Sequence, residues 1–135
     1  MSDRVNGLEA WSPRLLSVLR IAVGLLFLEH GTAKLFALPH VAYFDHLPLI
    51  SLIGLAGVLE VVGGVLIILG LFTQITAFIL SGEMAVAYFM VHASQGFFPL
   101  LNQGEAAVFY CFVFLYFAAA GGGAWSLDAM RKSAA

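Results

Sequence analysis

Residues 50–72 read ISLIGLAGVLEVVGGVLIILGLF, 23 positions whose one charge is Glu60. A membrane-crossing helix needs about 20 mostly apolar residues. This run supplies them without the alternation that a transmembrane strand requires. The unbroken VLIILGL at 65–71 reads as helix, because a helix satisfies its own backbone polar groups in lipid. At about 100° per residue, Gly57, Glu60 and Gly64 share one face. The glycines let another backbone approach closely, which would sink Glu60 into a helix contact.

Three further runs flank this one. Residues 15–38 are interrupted by Arg20, Glu29, His30 and Lys34, residues 75–91 by Glu83 alone, and residues 106–125 by no charge. With their polar ends included, spans are expected at about 15–38, 50–72, 75–93 and 104–123. The loops between them are too short for a soluble domain. The expected fold is therefore a single all-α domain over 1–135, an integral membrane four-helix bundle.

Composition agrees. The chain is 61% hydrophobic and 10% charged, with a mean hydropathy of +0.98. A soluble domain is nearer half apolar and a quarter charged. A net charge of −2 excludes a basic nucleic-acid footprint, the single Cys111 a disulfide framework, and the hydrophobicity a disordered chain. Arg4, Arg14, Arg131 and Lys132 gather on the side of the termini, whereas the opposite loops offer only Lys34. Both termini are therefore expected in the cytoplasm, with Trp11 and Trp125 at the inner interface.

A charge in the hydrocarbon costs roughly 2.5–3.5 kcal/mol on insertion scales, so polar residues there pair, face inward or serve function. The candidate polar site comprises Arg20, His30, Lys34, Glu60, Glu83, His92, Asn102 and Glu105. Lys34, His92, Asn102 and Glu105 are expected near the outer surface, with Glu60 and Glu83 nearer mid-depth. The blander arrangement has Arg20 and Lys34 pairing with Glu60 and Glu83 to lock the bundle. On the fourth span Asn102, Glu105, Phe109, Phe112 and Tyr116 form a stripe, polar at its outer end and aromatic below. Near the C-terminus, Ser126 is placed to cap a short helix at Leu127, with Asp128 favoured by that helix's dipole.

In order, these positions resemble the DoxX family of small membrane proteins. The resemblance rests on Arg20, Gly24, Phe27, His30–Gly31 and Lys34–Leu35, then Gly57, Glu60 and Gly63–Gly64. Glu83 to His92, Asn102 to Glu105, and a closing Gly121–Gly122–Gly123–Ala124–Trp125–Ser126–Leu127–Asp128 complete it. It runs from about Arg14 to Arg131; the family's usual Gly-Pro-Gly stands here as Gly121–Gly122–Gly123. The resemblance implies a multi-pass protein of the bacterial inner membrane. It also implies an association with redox systems, since the family takes its name from a small subunit of a sulfur-oxidising, quinone-reducing membrane complex.

Two function classes follow. The first is an accessory, quinone-associated subunit of a membrane oxidoreductase system. Phe109, Phe112 and Tyr116 would wall a flat ring, and His30, His92 or Asn102 would bond its oxygens. The second is a non-catalytic scaffold or a small-solute or proton conduit, with Arg20, Glu60 and Glu83 as relay and His92 as outer gate. Haem held between His30 and His92 is the lesser cofactor option. No metal site is expected, because Glu29 and His30 are adjacent and point apart. Cys111 has no resolving partner and reads as packing. Expected partners are the bilayer, other oxidoreductase subunits, or a second copy of the chain.

Overall fold

A computed structural model describes residues 7–135, so Arg4 lies outside the described residues. The first helix, α1 (Ser12–Phe36), carries Pro13 in its opening turn, where a missing N–H costs nothing. It ends at Ala37 in a left-handed conformation. Ser51 caps α2 (Leu52–Leu69) by accepting from the Gly54 N–H at 3.1 Å. Gly70, at φ 66°, ends α2 because only a residue without a Cβ turns the chain there cheaply. The third helix, α3 (Thr73–Ala87), runs on through a π turn at Tyr88–His92 and a 3-10 turn at Ala93–Gln95. One turn, α4 (Pro99–Asn102), leads into α5 (Glu105–Ala120), and α6 (Leu127–Ser133) follows.

The described chain is all-helical. Three stretches are long and apolar enough to cross a membrane: Gly7–Phe36, Leu52–Leu69 and Thr73–Gln95. The expected fourth span, 104–123, is shorter. Its helix α5 has 16 residues, which is about 24 Å of rise against a hydrocarbon core of about 30 Å. Gly121, at φ 81°, takes the backbone out of the helix after Ala120.

The helices α1 and α2 pack along each other, α3 and α5 likewise, and α2 touches α3. One core draws on all four: Phe27, Ile67, Leu80, Met84, Phe114 and Phe117 are buried together. Glycines set the α1–α2 spacing. A Cβ on Gly31 would stand 2.7 Å from the Val61 backbone nitrogen, and one on Gly64 3.2 Å from Leu28 Cα. The glycine face of residues 57–64 thus receives the backbone of α1.

Both described ends of the chain lie at the same end of the molecule. The Ala124 N–H donates to Pro13 O at 3.0 Å, and the Asp128 N–H to Gly70 O at 2.9 Å.

Candidate functional site

The sequence-predicted polar residues form three separate groups. The first surrounds Arg20, which is fully buried. Its guanidinium donates from Nε to Gly122 O at 2.8 Å and from Nη2 to Trp125 O at 2.6 Å. Its Nη1 donates to Ile67 O and Ile68 O, at the end of α2. A helix leaves its last carbonyls without intrahelical partners, and the forked guanidinium supplies donors for two of them. Ser17 completes the arrangement: its Oγ donates to Gly122 O at 3.0 Å and accepts from the Trp125 N–H at 2.9 Å. Arg20 makes no ion pair with Glu60 or Glu83, so of the blander locking arrangement the Lys34–Glu60 half is present and the Arg20 half is not.

Asp128 stands in the first turn of α6, as expected, and makes a further tie at the same end. Ser126 caps α6 by accepting from the Ala129 N–H at 3.1 Å, as its position predicts. The Asp128 carboxylate, however, reaches across to accept from the Phe72 and Thr73 N–H groups at 2.9 and 2.8 Å. It therefore serves the first turn of α3. Partial burial alone would raise the Asp128 carboxyl. The hydrogen bonds from Thr73 and Phe72, with Arg131 nearby, outweigh that and hold it below the usual aspartate range.

The second group lies between the helices toward the other end. Lys34 Nζ contacts both oxygens of Glu60, at 2.7 and 2.6 Å, and both side chains are largely buried. Phe44, in the 3-10 turn Ala42–Phe44, covers the ammonium at 5.4 Å from its ring centroid. Glu83 sits within electrostatic reach of Glu60 and Lys34. Both its carboxyl oxygens are buried and neither has a hydrogen-bond partner. Beside this group His30, exposed on α1, meets the Tyr110 ring edge to face at 5.7 Å.

The third group ties α3 to α5. Asn102 is fully buried; its Nδ2 donates to Gly96 O at 2.9 Å and Tyr88 Oη at 3.2 Å, while its Oδ1 accepts from the Gly104 N–H at 2.8 Å. His92 Nδ1 pairs with Asn102 O at 3.0 Å. His92 thus belongs to this connection, and His30 lies beside the second group. Glu105 stands exposed in the first turn of α5, where the helix dipole favours it.

The aromatic stripe faces outward. Phe109, Phe112 and Tyr116 are 71, 65 and 57% exposed, so the three do not wall an interior pocket. Phe109 and Phe112 instead line an open groove of about 330 Å³ with Pro99, Glu105 and Val108. Inside stand Tyr110, Phe114 and Phe117, on the opposite face of the same helix. Tyr110 and Phe44 are absent from the sequence-based site. The spacing of Tyr110, Phe114 and Phe117 is the signal that marks the first of them. Cys111 receives a hydrogen bond from Ser81 Oγ on its backbone oxygen, at 2.8 Å, which ties α5 to α3.

Comparison with known proteins places these residues in a family. A family model described as DoxX matches residues 15–93. The chain is also 47% identical over 133 residues to an uncharacterized protein of Haemophilus influenzae, covering 92% of this chain and 96% of that one. The chain belongs to the DoxX family. The matched segment includes Arg20, His30, Lys34, Glu60, Glu83 and His92, and ends before the Asn102 loop and the closing Gly-rich turn. No solved structure matches the chain.

Proposed function

We propose that this DoxX-family chain is a four-helix protein of the bacterial inner membrane with both termini in the cytoplasm. In this reading it serves as an accessory subunit of a membrane oxidoreductase system and takes a quinone-type head group beside Lys34, Glu60 and Glu83. The observation that carries the reading is Glu83. A buried carboxyl with both oxygens unpartnered is rare in a folded protein. Beside it stands a charge-compensated pair.

The donor set suits such a group. Glu83 would accept from a quinol hydroxyl, and the His30 ring and the Tyr110 hydroxyl would donate to a quinone oxygen. A bound quinone supplies two-electron, two-proton chemistry; the protein's part is to hold the ring and carry a proton at the Glu83 carboxyl. The orientation is supported by Arg14, Arg131 and Lys132, which share the end where the two described ends of the chain lie. The outward aromatic face of α5 is available to lipid, a partner subunit or a second copy.

Gentle purification followed by an optical spectrum and quinone extraction tests the reading. Co-purifying quinone, together with lowered respiratory activity in a deletion strain, is the expected result. Absence of both refutes it. The closed Lys34–Glu60 pair favours a second reading, a scaffold or a proton or small-solute conduit. Proton flux in liposomes that disappears in Glu60→Gln assigns that reading instead.

A further inference from the structure

Glu29 belongs to none of the three polar groups. It stands exposed on α1, about 10 Å along the axis from the helix end at Phe36. This helix is part of a stretch long and apolar enough to cross a membrane. The carboxylate therefore faces lipid below the head groups, where an uncompensated charge is costly, and its side chain is too short to reach them. Among the described residues it has no hydrogen-bond or ion-pair partner. Thr32 Oγ1 bonds the Glu29 backbone oxygen, at 3.2 Å, and Lys34 is held by Glu60. His30, the next residue, is exposed too, and its ring contact is the aromatic one with Tyr110. Neighbours on a helix diverge by about 100°, so this acid and this base do not close on each other.

The same face of α1 carries an exposed apolar seam, Leu15, Leu19, Ala22 and Leu26. Its alternating steps of four and three residues are those of helices packed along each other. At about 100° per residue the four lie within about 30° of one line, and Glu29 and His30 stand about 50° to either side of it. Ala33, one turn further along that line, is buried within the subunit, so the seam stops at this pair. Copies inserted alike in one membrane are related by a two-fold axis along its normal. Such an axis beside the seam lays one α1 parallel to the other. It also carries each Glu29 to the side on which the other copy's His30 lies, at a depth that differs by about 1.5 Å. At the interaxial spacing of packed helices, about 8–10 Å, acid and base are within bonding reach on both sides of the seam. A second copy thus supplies both missing complements at the right depth.

We propose that a second copy of the chain docks along this face of α1 as a two-fold dimer, with Glu29 of each subunit bonded to His30 of the partner subunit. The interface does not depend on the quinone reading, and it leaves the other nitrogen of each His30 ring free. The test counts subunits of the full chain by single-molecule photobleaching in liposomes of increasing lipid-to-protein ratio. Wild type is expected to be dimeric. Glu29→His and His30→Glu each set like groups across the seam. Each alone should weaken dimerisation about tenfold, which corresponds to two interhelical bonds of about 0.7 kcal/mol.

An equal mixture of the two variants should form mixed dimers at the dilution where wild type does, because each acid again meets a base. In a Cys111→Ser background, oxidation should crosslink Leu26→Cys between copies and leave Phe112→Cys, on the outward face of α5, uncrosslinked. Any of four results overturns the interface. These are a wild type that is monomeric at every dilution, single variants that dimerise as wild type does, a mixture that does not recover, and crosslinking through Phe112→Cys in place of Leu26→Cys.

Discussion

Replacing Arg20 by Met keeps the length of the side chain and removes every donor. Four carbonyls, on Ile67, Ile68, Gly122 and Trp125, lose a charged partner at a fully buried position. Hydrogen bonds to charged groups contribute about 1.5–3 kcal/mol each, and breaking a buried charged network typically costs 3–5 kcal/mol. Because such bonds are not additive, the expected loss is that of the broken network, about 3–5 kcal/mol, a large part of the roughly 5–15 kcal/mol that holds a typical domain folded. Arg20→Lys should fall between, because an ammonium keeps the charge without the fork that spans two helix-end carbonyls and the terminal loop. Ser17→Ala removes two neutral bonds around the same loop and should cost about 1–2 kcal/mol. Thermal unfolding in a mild detergent, followed by circular dichroism, ranks the three variants. An Arg20→Met protein that melts with wild type would refute the reading of Arg20 as the tie between α2 and the closing loop.

Lys34→Met should destabilise by about 3–5 kcal/mol by leaving Glu60 buried and unpaired, whereas the Lys34→Met/Glu60→Met double variant should recover most of that loss; a double-mutant cycle on unfolding reads the difference. Gly31→Ala should cost about 1–3 kcal/mol through overpacking against Val61, while Gly82→Ala, with nothing within 4 Å of the added Cβ, should be neutral or stabilising; paired thermal midpoints decide. The depressed Asp128 carboxyl stabilises the fold fully above the ordinary aspartate pKa of about 4, and that contribution is lost as the pH falls through its lower folded value. Wild type should therefore lose more stability than Asp128→Asn as the pH drops below about 4, and parallel acid limbs in the two proteins would contradict this.

Much of the fold is legible in the pattern of apolar runs, because the bilayer admits few alternatives to helices of fixed length. The glycines at 57 and 64 foretell a close backbone, and Ser126 a cap, because both depend on local geometry. The partners of Arg20 are hidden for a physical reason: they are backbone carbonyls, and no residue type announces them. The place of Asp128 in the first turn of α6 is legible, but its bonds to the Phe72 and Thr73 N–H groups are not, because only the tertiary arrangement brings the start of α3 to it. The aromatic face of α5 is ambiguous because that helix is apolar all round. Phe109–Phe112–Tyr116 and Tyr110–Phe114–Phe117 are equally good stripes by spacing, and packing buries the second. Glu60 and Lys34 lie on helices that the glycines bring together, so their meeting is the part of the site nearest to being readable.

The most direct test of the buried carboxyl as a ligand site is titration of the nanodisc-embedded protein with a short-chain quinone. Wild type should bind about one quinone per chain, and Glu83→Gln should weaken binding about tenfold, the factor expected for loss of about 1.4 kcal/mol in a hydrogen bond. Equal affinity in the two proteins, with both still folded, would contradict the account.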